Sequence, residues 1–180
     1  MDLDRDDARV ITLHHDRAPF EPRPDGLLDL RRLEGVEDGH AVTLAQWAAP
    51  VDLPGAVAYR RYRSGGLGSD REVGCVVLVE VRFDRPGVAE RWVDLVFEAL
   101  AGNSAPGGVS ARFHVSLDGT RVLNYAEWET ARAHRDALAA GDGSVGTGEA
   151  WRRVRSFPGF GASDVRRYRV VTDEAGSQRG

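Results

Sequence analysis

The stretch that most constrains this chain is Ala111–Trp128, ARFHVSLDGTRVLNYAEW. Asp118-Gly119 stands between two runs of apolar and β-branched residues, the strongest short-range mark of a β-hairpin. Side chains alternate across a strand, so each arm sorts into two faces. In the first arm Ala111, Phe113, Val115 and Leu117 point one way, and Arg112, His114 and Ser116 the other. In the second, Val122, Asn124, Ala126 and Trp128 lie opposite Arg121, Leu123, Tyr125 and Glu127. A helical pattern, Glu129–Ala140, follows directly. One sheet face is thus expected to carry an amide and a tryptophan, with a histidine as a further candidate, beside a helix able to roof them.

Around the hairpin the pattern is regular. Cys75, Val77, Val79, Val81 and Phe83 alternate with Val76, Leu78, Glu80 and Arg82, which predicts a strand. Asp84, two residues before Pro86, is the expected helix start. Val88, Trp92, Leu95, Val96, Ala99 and Leu100 then recur along one side until Gly102-Asn103. Ser104–Gly108 is read as a loop. Beyond the hairpin, Ala131, His134 and Leu138 form one helical stripe, and Gly141–Gly148 interrupts it. Glu149–Ser156 adds one or two helical turns, and Phe157–Gly161 is a loop whose two aromatics face solvent or a pocket. Asp164–Thr172 is the last strand, and 173–180 a polar tail. Strand, helix, strand, strand, helix, strand is a ferredoxin-like α+β order: an antiparallel sheet with its helices on one face. The other face is partly apolar and needs cover, from a second subunit or from the N-terminal segment.

That segment begins with an acidic leader, residues 1–9, expected to be loosely held. Val10–His14 is β-like, Pro19, Pro22 and Pro24 argue for an irregular stretch, and Leu27–Leu33 suits a strand or a short helix. Glu37-Asp38-Gly39 reads as a turn, His40–Trp47 and Val57–Arg63 as strands, and Ser64–Ser69 as a loop. Pieces of the hairpin recur here. Asp38-Gly39 precedes AVTLAQW as Asp118-Gly119 precedes VLNYAEW, and Arg60-Arg61-Tyr62-Arg63 repeats Arg166-Arg167-Tyr168-Arg169. With the tryptophans aligned, Thr43 stands where Asn124 stands. Only 15 residues separate Trp47 from Tyr62, against 40 from Trp128 to Tyr168, so the first copy has no room for a helix. The expected division is a degenerate partial repeat, 10–63, followed by a complete unit, 74–172.

Composition narrows the function classes. The net charge of −4 argues against a nucleic-acid partner, itself a dense anion. All 24 basic residues are arginine, which removes lysine Schiff-base chemistry. Cys75 sits in an apolar run and is expected to be inert packing. No apolar leader and no stretch of about 18 apolar residues is seen, so a cytoplasmic chain with no membrane partner is expected. His14, His15, His40, His114 and His134 lack zinc-ligand spacing, so no metal is expected. Nucleophile-elbow, phosphate-loop and dinucleotide fingerprints are missing as well. The remaining candidates are His114, Asn124, Trp128 and His134. Asparagine is disfavoured at a strand centre, and a buried amide needs partners. Trp128 offers a flat wall with an N–H donor, and each histidine is a candidate base near neutral pH. One of Arg152, Arg153 and Arg155 is a candidate for facing a pocket and binding an anion.

Residues 74–172, and above all FHVSLDGTRVLNYAEWETARAHRDAL at 113–138, resemble the antibiotic biosynthesis monooxygenase family. The resemblance implies a dimeric α/β-barrel fold and a homodimer packed sheet on sheet, unless residues 10–63 supply the second sheet within the chain. It implies a cofactor-free oxygenase that converts an anthrone-type aromatic polyketide to a quinone with O₂. In anthrone oxygenases an asparagine, a tryptophan four residues later and a histidine ten residues earlier line the pocket, matched here by Asn124, Trp128 and His114. A tyrosine is expected where this chain has His134. An arginine on or after the second helix matches Arg152 or Arg153. The base is then His114, His134 or solvent. The alternatives are a non-catalytic accessory or ligand-binding protein of secondary metabolism, a polyketide cyclase and a haem-degrading enzyme.

Overall fold

The computed structural model describes residues 1–15, 20, 22–103, 105–141 and 143–171. Pro19, Ser104, Thr172 and the polar tail lie outside the described residues. The N-terminal segment forms four strands: β1 (Val10–His15), β2 (Leu27–Gly35), β3 (Ala41–Trp47) and β4 (Val57–Gly66). The rest forms β5 (Cys75–Phe83), α1 (Ala89–Ala101), β6 (Gly108–Ser116), β7 (Arg121–Trp128), α2 (Ala131–Ala140), α3 (Glu149–Arg155) and β8 (Phe160–Val170). The ambiguous stretch at Leu27 is therefore a strand. The final strand starts at Phe160, four residues before its expected start at Asp164.

All eight strands close into one antiparallel barrel, in the order β1-β3-β2-β8-β5-β7-β6-β4. Read around the ring, β4-β1-β3-β2 and β8-β5-β7-β6 follow one rule: fourth strand, first, third, second. The halves join edge to edge, β2 on β8 and β4 on β6. The α+β, ferredoxin-like architecture is as expected, and the barrel closes within a single chain. The sheet face that needed cover is covered by β1–β4.

Alternation builds three apolar layers. Val76, Leu78, Leu123, Tyr125 and Tyr168 point into the barrel and meet Ile11, Leu13, Leu33, Val42, Leu44 and Tyr59 from the other half. On the outside of the C-terminal half, Val77, Val81, Phe113, Ala126 and Trp128 pack under the helices. On the outside of the N-terminal half, Val10, Leu27, Ala45 and Trp47 make a smaller cluster with Phe20, Val51 and Leu53. Cys75 is buried in the helix-side layer, where burial raises its thiol pKa.

Two local expectations change. The first helix begins at Ala89 rather than near Asp84. Gly87 adopts φ 79°, a left-handed conformation that bends the chain between Pro86 and the helix, and the Asp84 amide donates to Gly159 O at 3.0 Å instead. The leader is also anchored, not loose. Leu3 inserts into the barrel cluster, Gln46 Nε2 donates to Asp2 O at 2.7 Å, and Arg61 Nη1 donates to Asp4 O at 2.7 Å. Among the described residues no helix is long and apolar enough to cross a membrane.

Candidate functional site

The hairpin fixes the floor of the site. Gly119, at φ 72°, makes the turn, and Ser116 Oγ donates to Asp118 Oδ1 at 2.6 Å beside it. The resulting register sets Phe113 opposite Asn124 and His114 opposite Leu123. Cross-strand partners share a face. Asn124, Ala126 and Trp128 therefore look outward, toward the helices. α2 starts where the Thr130 hydroxyl accepts the Ala133 N–H at 3.0 Å, and this cap sets His134 one turn into the helix.

Between sheet and helices lies a cavity of about 340 Å³, bordered by Asn124 and Trp128 below and by Trp92, Val96, His134 and Trp151 above. Ligand pockets run from roughly 300 to 1,000 Å³, so it suits a compact ligand. The walls are mainly apolar. Among the described residues, three polar atoms of the lining are buried with no hydrogen-bond partner: Asn124 Oδ1, Trp128 Nε1 and Trp151 Nε1. Leaving such a group unmatched costs about 1–3 kcal/mol. The four indoles divide accordingly. Trp47 Nε1 donates to Thr12 Oγ1 at 2.9 Å and Trp92 Nε1 to Val154 O at 3.1 Å, whereas Trp128 and Trp151 have no acceptor among the described residues. Trp151 is seated by Gly146, whose missing Cβ would collide with its indole nitrogen.

His134 is 2 % exposed and packs edge-on against Trp128, with ring centroids 4.8 Å apart. Its Nδ1 accepts from Arg167 Nε at 3.1 Å, so Nε2 carries the ring proton in the neutral form. Burial first, then the positive charges of Arg167 and Arg135, push its pKa down to about 4. At neutral pH His134 is an uncharged donor, and its one lone-pair nitrogen is occupied. That alters the expectation of a histidine base at this position.

His114 does not reach the cavity. It points the opposite way from Phe113 into the barrel and is 1 % exposed, with only weak backbone contacts at Arg112 and Leu123 for its ring. Burial holds its pKa near 4. Of the four candidates, Asn124, Trp128 and His134 converge, and His114 stands on the other side of the sheet. Among the candidate arginines, Arg152 and Arg153 are exposed in ion pairs with Glu149 and Glu98. Arg155 borders the cavity and donates to Ser144 Oγ at 2.7 Å.

Sequence reasoning missed Arg167, seen only as part of a repeated RRYR. Its register opposite Val77 puts it on the helix side of β8. It also missed Trp92 and Trp151 as cavity walls, although Trp92 lies on the predicted apolar stripe. Among the described residues no group of three or more His, Cys, Asp or Glu side chains is arranged to hold a metal ion.

No family model and no curated protein sequence matches the chain. Solved structures do. An anthrone oxidase-like protein superposes with a TM-score of 0.68 at 14 % identity, over 91 % of this chain and 90 % of that one. A ferredoxin-fold protein from Listeria monocytogenes, related to antibiotic biosynthesis monooxygenases, gives 0.54 at 14 %, over 89 % and 95 %. A haem-degrading enzyme from the same species gives 0.52 at 17 %, over 89 % and 99 %. At these identities the likeness is one of fold: this chain shares the ferredoxin-type fold of anthrone oxidase-like and antibiotic biosynthesis monooxygenase-like proteins.

Proposed function

We propose that this chain is a cofactor-independent monooxygenase that oxidises an aromatic polyketide of the anthrone or phenol type with O₂ in the cavity of its helical half. The observation that carries the reading is the pair of unmatched atoms, Asn124 Oδ1 and Trp128 Nε1, on the floor of a mainly apolar chamber. A hydroxyanthrone complements both: its phenolic O–H donates to the Asn124 carbonyl, and its keto oxygen accepts from the indole. The Trp128 face gives the rings a flat wall. The names of the structural neighbours support the same class. The chamber's size favours a three-ring ligand over the larger haem, and its being open favours a ligand site over a filled accessory fold.

The chemistry follows from the substrate's own electrons. With His114 remote and the His134 lone pair engaged, solvent takes the first C–H proton and leaves an enolate. Trp128 Nε1–H and His134 Nε2–H stabilise its oxygen, as fixed donors do in an oxyanion site. The enolate gives one electron to O₂. Superoxide and the substrate radical join in a C–O bond, and a proton from solvent completes the hydroperoxide. Loss of the second C–H proton with cleavage of the O–O bond yields the carbonyl and water. The balance is CH₂ plus O₂ to C=O plus H₂O.

Oxygen uptake by metal-free protein with an anthrone-type substrate tests this. Uptake is expected above the uncatalysed rate, without an acid limb near pH 6.5. Removing one fixed donor typically costs about 10²-fold or more, so Trp128→Phe is expected to lose most of it; Asn124→Ala, which removes the acceptor for the substrate O–H, is expected to lower it as well. Uptake unchanged in both variants would overturn the reading and return weight to a cyclase or a binding protein.

A further inference from the structure

The helix-free half reaches the cavity through one turn. Residues 36–40 link β2 to β3, and the Val36 N–H donates to Arg167 O at 2.9 Å, tying the turn to β8. Next to it, Glu37 Oε1 accepts from Arg167 Nη1 at 3.1 Å and from Arg135 Nη1 at 3.2 Å. The same Arg167 guanidinium donates its Nε–H to His134 Nδ1. Arg167 thus spans the two halves, with one arm on a carboxylate of the first and one on the cavity histidine of the second. It is largely buried, its side chain 15 % exposed, while Glu37 is 47 % exposed.

We infer that Glu37 is a positioning residue: by holding Arg167 it locks His134 in the Nε2–H form, so that the cavity meets an N–H donor and not a lone pair. Guanidinium is suited to this, because its donors are fixed in one plane and it stays charged. The charges that act on His134 are Arg167 on β8 and Arg135 on its own helix, both paired with Glu37 of the turn; Trp128 packs on its ring, and the Cys75 thiol, opposite Trp128 in the register, feels the same three charges. Burial first, and then the two arginines, keep the ring neutral, and the acceptor contact selects its tautomer. Exposed ion pairs contribute little to stability, so the role of Glu37 is read in the ring, not in the melting temperature.

The effect on turnover rests on the oxygenase reading above; the tautomer does not. The test is therefore long-range ¹H–¹⁵N spectroscopy of the imidazoles at pH 7 in ligand-free protein, with His134→Asn identifying the signals. The wild type is expected to show His134 as Nε2–H. Glu37→Gln and Arg167→Gln are expected to show a mixture with Nδ1–H. Arg167→Gln also removes a positive charge, so the His134 pKa rises from about 4 toward 6.5. Arg167→Lys keeps the charge and the low pKa but loses the fixed planar contact. With an anthrone-type substrate, Glu37→Gln is expected to lower kcat about tenfold with KM little changed, the usual scale for a lost supporting partner. An unaltered His134 tautomer in Glu37→Gln overturns the inference whatever the activity, even where Arg167→Gln shifts it. A shifted tautomer in a protein whose wild type shows no uptake upholds the positioning role and sinks the oxygenase.

Discussion

Trp47 and Trp128 each end the third strand of their own half of the barrel, and their surroundings differ in every respect that bears on function. Trp47 is 1 % exposed, its N–H is bonded to Thr12, and Phe20 packs edge-on against it at 5.4 Å. Thr12 Oγ1 in turn shares a 2.8 Å hydrogen bond with His14 Nε2. Trp128 is equally buried, yet its N–H has no partner and a cavity opens beside it. Four residues earlier on the same face, the first half has Thr43 and the second Asn124. The difference arises from the connections. Between β3 and β4 the chain has nine residues and two prolines, so only a loop can lie on Trp47. Between β7 and β8 it has room for α2 and α3, which stand off the sheet and leave a chamber. One half is finished as core, and the other is left unfinished where a ligand would complete it.

The sharpest way to break this contrast is to truncate both tryptophans. Trp47→Ala removes a fully packed indole and is expected to cost about 3–5 kcal/mol in urea unfolding. Trp128→Phe is expected to change stability far less, because the indole N–H it removes is already unmatched, while oxygen uptake falls. Similar destabilisation by both would erase the distinction.

Acid comes next. His114 and His134 have folded-state pKa values of about 4, below the ordinary 6.5. Between those values the unfolded chain binds protons that the native state refuses. Stability is therefore whole above about pH 6.5 and declines as pH falls toward 4, by up to about 3 kcal/mol for each histidine. Urea midpoints at pH 7 and 4.5 measure it, and His114→Leu should flatten the slope. Equal midpoints would mean that neither ring is held neutral.

Thr12→Val orphans the Trp47 indole and is expected to cost about 1–3 kcal/mol. It tests whether the first half depends on polar matching that the second half lacks. Smallest in stability is Asn124→Leu, which deletes an unmatched carbonyl oxygen from a mainly apolar chamber. A shift within about 1 kcal/mol is expected, in either direction, with binding of an aromatic ligand lost. A large destabilisation would show that Asn124 is satisfied core after all.

Much of this site could be read from one segment. The Asp-Gly turn and the alternation in residues 111–128 set Asn124 and Trp128 on one face, and the 3.6-residue period brought His134 over them. His114 was less legible, because its side depends on register across a four-residue turn, and only the pairing of Phe113 with Asn124 fixes it. Arg167 and Glu37 were out of reach. Arg167 meets His134 across 33 residues and Glu37 meets Arg167 across 130, through a β2–β8 junction that no local pattern encodes. The leader was misread for the same reason: the contacts that hold Leu3 are all tertiary. The repeated landmarks occupy matching places in the two halves: DG in the turn before β3 and before β7, W at the end of those strands, and RRYR on β4 and β8.

The most direct measurement is a titration of ¹⁵N-labelled protein with a non-oxidisable anthraquinone, following the four indole N–H signals. Ligand entry into the helical half predicts that the Trp128 signal moves on binding and that the Trp47 signal stays fixed and slow to exchange with solvent. A Trp47 signal that moves with the ligand, or a Trp128 signal that does not, would contradict the account.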